Sequence, residues 1–164
     1  METTERLRLP LLSPGQSQKE LVHNEALLLL DAIVAGAVEE GPRSTAPSNP
    51  QPGQAFIVAQ SATGEWAGKD GQLAIFTAAG WRFQTPAEGQ SMYVRTAGVH
   101  ASYRSGSWEV GGVRANRLVV DGQQVVGSRL SAIAEPAGGA TIDAQARASI
   151  ASILNALRTH GLIA

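Results

Sequence analysis

Leu73-Ala74-Ile75-Phe76-Thr77-Ala78-Ala79-Gly80-Trp81-Arg82-Phe83-Gln84 and Val99-His100-Ala101-Ser102-Tyr103-Arg104-Ser105-Gly106-Ser107-Trp108-Glu109-Val110 are the two stretches on which the fold turns. Each reads as an apolar or alternating run, a glycine turn and a second run that opens on a tryptophan, which is the pattern of a β-hairpin. Ala74 and Ala101, Phe76 and Tyr103, and Trp81 and Trp108 share one offset of 27 residues. Two similar hairpins explain that echo, each with an aromatic before its turn and a Trp after it. Two copies do not make a repeat architecture.

The same texture extends outward on both sides, from Gln54 to Val126. Strands are expected at Ala55 to Ala59, Leu73 to Thr77, Trp81 to Gln84, Ser91 to Thr96, Val99 to Arg104, Ser107 to Val110, Arg117 to Val120 and Gln123 to Val126. Asp121-Gly122 is the strongest hairpin turn. On the N-terminal side, Pro42, Pro47, Pro50 and Pro52 sit among Ser, Thr and Asn, a composition that holds neither helix nor central strand, so Gly41 to Gly53 is a loop or arm. Before the arm, Ser13-Pro14-Gly15-Gln16 and Ser17-Gln18-Lys19-Glu20 both fit a capping box, and a helix from there runs to about Gly36. Val22, Ala26, Leu29 and Ile33 form its stripe, and Leu27, Leu28 and Leu30 widen it almost all round, so it needs partners on several sides. Arg6 to Leu11 alternates charged and apolar residues, as a short extended segment does.

On the C-terminal side, Thr141 or Asp143 can cap a last helix that runs to about His160, where Gly161 stops it. Ile142, Ala146, Ile150, Ile153 and Leu157, with Leu154 adjacent, make a narrow stripe flanked by polar residues. That spacing is a coiled-coil seam, and isoleucine at both seam positions shifts preference toward trimers or larger bundles. A terminal helix docked on its own domain fits the pattern too. The oligomerisation residues expected on the seam reading are Ile142, Ile150, Ile153, Leu154 and Leu157.

Composition narrows the function. Charged residues make up 16% of the chain against roughly 25% in ordinary soluble domains, which fits a monomer whose surface is covered by neighbouring subunits. A net charge of -1 gives no field for nucleic acid or an acidic membrane. Cysteine is absent, which removes thiol catalysis and cysteine-ligated metals and is compatible with folding in the cytoplasm. The first twenty residues lack the basic start and apolar run of a signal peptide, and Ala26 to Val38, broken by Asp31, is too short to span a bilayer.

His23, His100 and His160 stand at no metal-ligand spacing, and no phosphate loop, dinucleotide fingerprint or nucleophile elbow is present. Glu65, Asp70, Glu88, Glu109 and Asp121, the acids of the β region, sit mostly beside turns, where carboxylates are usually solvated rather than paired for glycoside cleavage. The expectation is a non-enzyme without cofactor or metal. Trp66, Trp108 and Tyr103 are the candidate contacts for a carbohydrate, Trp66 being the ring expected to be most exposed. Against that stands the ordinary role of strand aromatics, Trp81 and Trp108 above all, in filling a β core.

Leu9-Pro10-Leu11-Leu12, Gly15-Gln16-Ser17-Gln18-Lys19-Glu20, His23-Asn24-Glu25-Ala26-Leu27, Trp66-Ala67-Gly68, Gly80-Trp81-Arg82-Phe83 and the tail from Gly138 to Ile163 carry a resemblance. In these stretches the chain resembles an uncharacterised domain family of phage tail-fibre proteins and gene-transfer-agent head-spike proteins. The resemblance implies a virion component, the base or fibre of a head spike or a tail-fibre module, made in the cytoplasm and incorporated in a phage-like particle. It implies attachment within the particle and toward the host surface, with capsid, spike or tail proteins as partners, and it supplies no catalytic residues.

The expected fold is α+β: a long N-terminal helix, a β-rich middle of short antiparallel strands and a short C-terminal oligomerisation helix. The expected divisions are 1–53 for the extended segment, helix and Pro-rich arm, 54–135 for the β-rich domain, and 136–164 for the linker and coiled-coil-like helix. A homotrimer is expected first and a pentamer second, because a spike base on a capsid vertex meets five-fold symmetry. The alternative function is a carbohydrate-binding adhesin for host capsule polysaccharide. Neither nucleic acid nor membrane insertion is expected.

Overall fold

The computed structural model describes residues 3–12, 19–139 and 143–163. The chain forms two compact units, Met1–Gly112 and Val113–Ala164.

In the first unit, helix α1 (Lys19–Val34) leads into β1 (Ala37–Val38), and the Pro-rich arm then leads to β2 (Ala55–Ile57). A single 3-10 turn at Gly64–Trp66 precedes the hairpin β3 (Leu73–Thr77) and β4 (Gly80–Gln84), followed by β5 (Ser91–Val94), β6 (Val99–Arg104) and β7 (Ser107–Val110). These strands make two sheets, ordered β1-β5-β6-β7 and β2-β3-β4. The second unit holds the hairpin β8 (Leu118–Val120) and β9 (Gln123–Val126) and helix α2 (Ala144–Thr159).

The expected long N-terminal helix is not there. Helix α1 has 16 residues, the same as α2, so no contrast between a long first helix and a short last one exists. Gly36, at φ +62°, donates its N–H to the Ile33 carbonyl and closes the helix at Val34, because the left-handed conformation cannot continue a right-handed helix. The freed chain enters β1 at once, and β1 pairs parallel with β5, Ala37 opposite Tyr93. The middle is therefore not purely antiparallel. The serines that open the two expected capping boxes, Ser13 and Ser17, lie outside the described residues.

The eight expected strands all fall on observed ones, and the 27-residue echo has a structural meaning. Phe76 lies opposite Trp81 across the β3–β4 hairpin, and Tyr103 lies opposite Trp108 across β6–β7. Both pairs are edge-on, with centroids 4.9 and 5.4 Å apart, a preferred geometry for aromatic quadrupoles. The repeat is one cross-strand aromatic clasp used twice.

One core lies where Ala55, Ile57, Leu73 and Ile75 meet Met92, Val94 and Ala101 of the other sheet, with Val38 and Ala32 of α1. Phe56 and Ala74 point to the opposite face of β2-β3-β4, where Val58, Ala62 and Trp66 cover them. That sheet is thus buried on both sides, which is why Ala55-Phe56-Ile57 is continuously apolar instead of alternating. The Pro-rich arm is held down by backbone bonds, Arg43 N–H to the Ile57 carbonyl and Ala59 N–H to the Arg43 carbonyl.

Gly53 ends the arm at φ +87°, and a Cβ there would lie 2.7 Å from Glu5 Cβ. Gly53→Ala meets both a conformational and a steric barrier. It is expected to cost about 1–3 kcal/mol, visible as a lowered midpoint in thermal unfolding, whereas an unchanged midpoint would contradict the close approach of the N-terminal segment.

Candidate functional site

The three aromatic candidates occupy different environments. Trp66, expected to be the exposed ring, is 0% exposed. Its centroid lies 5.8 Å from Phe56 and 5.1 Å from Trp81, inside the second core. The physical reason sits four residues on: Asp70 accepts hydrogen bonds from the Ser61 and Ala62 N–H groups and closes the loop on itself, turning Trp66 inward. A sugar cannot stack on this ring. Trp108 is half-buried against the first core and donates its indole N–H to the Gly71 carbonyl at 2.8 Å, with Tyr103 half-buried beside it. The more open aromatic of that sheet is Tyr93, 39% exposed and edge-on to His100. Alternation with buried Met92 and Val94 was the signal that could have found it.

Two of the turn acids serve the fold. Asp70 closes its loop, and Glu88 accepts from the Ser105 N–H at 2.9 Å. All three histidines are exposed, and no group of three or more His, Asp or Glu side chains among the described residues could hold a metal ion.

A polar cleft of about 470 Å³ opens where Arg6, Glu39, Gln54 and Arg95 converge. Arg6 is almost wholly buried and donates to the Gly53 and Ala37 carbonyls at 2.6 Å each. Burial, and then the facing Arg95 charge, push the Arg6 guanidinium below its ordinary pKa, while Glu39 and Asp31 oppose the shift. Glu39 sits between the two guanidinium groups, 3.8 Å from Arg6 and 3.6 Å from Arg95. The arrangement fastens the N-terminal segment to the body and needs no ligand to balance its charge.

Larger features are the apolar surfaces. Along the outer side of α1, Val22, Ala26, Leu30 and Val34 recur at steps of four and are all exposed. In the second unit, an extended strap of residues 129–139 runs beside α2. Arg158 donates to the Ile133 carbonyl and pairs with Glu135, while Arg147 donates to the Pro136 and Gly138 carbonyls. The two arginines lie three turns apart on one side of the helix, so they pin the strap at both ends. At the N-terminus of α2, Asp143 accepts from the Ala146 N–H at 2.9 Å, as a capping residue does. Beyond its C-terminus, Leu130 and Ile163 form a bridge.

This packing divides the expected oligomerisation residues. Leu154 is buried at 5% exposure and Leu157 is half-buried, whereas Ile150 and Ile153 stand exposed, Ile153 at 59%. Ile142 lies outside the described residues. Sequence reasoning placed Leu154 on an intermolecular surface that its own chain covers.

The hairpin β8–β9 is barer still. Val119 and Val120 are consecutive and so point to opposite faces of the ribbon, yet they are 44% and 50% exposed. Leu118, Val125 and Val126 are exposed as well. Among the described residues, neither face of this ribbon has a core beneath it.

No described helix is long and apolar enough to cross a membrane. Comparison with curated proteins returns no match. The sequence does match a family described as a protein of unknown function, DUF2793, over residues 23–109, from within α1 into β7. Since that match spans just over half of the chain and most of its larger unit, the chain belongs to the DUF2793 family.

Proposed function

We propose that this chain is a structural component of a phage-like particle, a head-spike base or fibre or a tail-fibre module, that works as a homo-oligomer and mediates attachment within the particle and toward the host surface. A trimer is the first expectation and a pentamer the second. The observation that carries the reading is the exposed apolar surface of the second unit, Ile150 and Ile153 on α2 together with the valines of β8–β9. Soluble monomers rarely leave contiguous apolar surface bare, and such surface marks sites of association. The bare stripe of α1 and the low share of charged residues point the same way. The resemblance of the motif-bearing stretches to phage fibre and spike proteins supports the particle as the setting.

The second unit lies beyond the family match, which suits a division of labour: a family domain built on two sheets, and an appended segment that gathers copies. Ile150→Asp with Ile153→Asp tests it. Each isoleucine buried on assembly contributes about 1.5–3 kcal/mol per copy, so the double variant is expected to associate at least about a hundredfold more weakly. Native mass spectrometry of the full chain, the double variant and a chain ending at Gly139 reads the subunit number. A full chain that stays a folded single subunit at high concentration, alone and beside particle proteins, overturns the proposal.

A further inference from the structure

We infer that the β8–β9 hairpin completes itself by edge-to-edge strand pairing with the same hairpin of neighbouring copies, each β9 lying against the next copy's β8 to close a ring of six strands. The inference rests on the homo-oligomeric reading and names the surface and occupant that the reading leaves open.

Asp121 and Gly122 both have positive φ, +50° and +76°, the geometry of a two-residue type I′ turn. Val120 and Gln123 flank it and lie opposite one another, so their N–H and C=O groups bond each other across the closed end. In an antiparallel ladder the next pair alternates. The backbone groups of Val119 and Gln124 therefore point outward, one from each edge of a two-stranded sheet that has no third strand among the described residues.

A two-stranded ribbon is marginal in water unless further strands or a packed face support it. This one has neither, with valines exposed on both sides. Natural proteins protect open edges with charge, proline, bulges or cover, and the irregularity of this ribbon is a register shift between Leu118 and Val119, at its open end. Between Leu118 and Val126 the only charged residue is Asp121, at the tip of the turn, and there is no proline. From that shift to the turn, both edges are left ready to pair.

The identity of the partner follows from the symmetry of the problem. The hairpin has two free edges of opposite strand direction. Rotation about an axis along the strands preserves direction, so β9 meets the next β8 antiparallel at every junction, and a three-fold ring leaves no edge unpaired. Closure also turns one valine-bearing face inward, as in a small barrel filled by its own side chains. A foreign strand would cover one edge and leave the other open. Between Leu118 and Val126 only Asp121, at the tip, is charged, so the strands themselves do not repel a second copy, and the exposed isoleucines of α2 add apolar surface in the same unit.

Amide hydrogen exchange on the full chain tests this directly. In the assembled protein, the Val119 and Gln124 amides are expected to exchange at least about tenfold more slowly than in the same chain carrying Ile150→Asp and Ile153→Asp. Gln124→Pro removes an outward donor without breaking a bond within the hairpin, and it is expected to weaken association at least about tenfold while the thermal midpoint of the first unit stays unchanged. An oligomer that forms with both amides exchanging at the unprotected rate, and that Gln124→Pro leaves intact, overturns strand pairing and spares the homo-oligomeric reading. A chain that never associates overturns both.

Discussion

Trp66→Ala is expected to destabilise the first unit by about 3–5 kcal/mol, a large part of the roughly 5–15 kcal/mol that holds a domain of this size folded. Trp66 is fully buried, in contact with Phe56 and Trp81, and it covers the face of the β2-β3-β4 sheet that carries Phe56 and Ala74. Removing it opens a void against a sheet already packed on its other side, where nothing can collapse inward without disturbing the first core. Thermal unfolding followed by calorimetry should show the midpoint fall by more than about 10 °C. Trp66→Phe separates volume from polarity. The indole N–H is buried without a hydrogen-bond partner among the described residues, so the phenyl ring loses volume but also removes an unsatisfied donor, and its cost should be well under half that of alanine. A loss below about 1 kcal/mol for Trp66→Ala would mean that the ring is not where the structure places it.

What the sequence made legible was local. Glycine turns and alternation located eight strands within two residues, and chemistry alone narrowed the cap of α2 to Thr141 or Asp143, of which Asp143 caps it. The 27-residue echo found both aromatic clasps. What escaped depends on contacts that local pattern does not encode. Val38 becomes a strand residue only because Val94 lies beside it, and Trp66 turns inward only because Asp70 ties down Ser61 and Ala62. Seen from its neighbours Glu65 and Lys69, a surface ring was the natural inference. The end of α1 was a nearer failure, since the helix was expected to run to about Gly36, whereas that glycine's φ of +62° ends it at Val34.

The candidate surface shows the same division. Isoleucine spacing in α2 was readable, but a stripe cannot say which of its members the strap covers. Arg147 and Arg158 draw the strap over the side that holds Leu154, leaving Ile150 and Ile153 outward. The β8–β9 run was read as a hairpin, and it is one. Its significance lies in the core it lacks, which alternation cannot report, because a strand pattern describes a ribbon and not what lies beneath it. An assembly surface is therefore harder to read than a fold: its partners are on another molecule.

Asp31→Ala is expected to release the N-terminal segment from the body. The carboxylate, 2% exposed, accepts from the Thr4 hydroxyl at 2.8 Å and from the Arg6 and Leu7 N–H groups at 2.8 and 2.5 Å. Alanine leaves three donors facing a dry site, at about 1–3 kcal/mol for each that stays unsatisfied. The chain has a cheaper exit, which is to lift residues 3–12 into water, and the cost of that step sets the ceiling. It is substantial, because Arg6 must leave the Gly53 and Ala37 carbonyls and Leu12 must leave Asn24. We expect about 3 kcal/mol lost in chemical denaturation, and Arg6 and Leu7 amides that lose exchange protection while Ile57, Leu73 and Ile75 keep theirs. Asp31→Asn retains one acceptor but turns an N–H₂ toward backbone donors, so it should fall between wild type and alanine. Denaturation within about 0.5 kcal/mol of wild type, with the two amides still protected, would show that the segment is held by Arg6 and its apolar contacts instead.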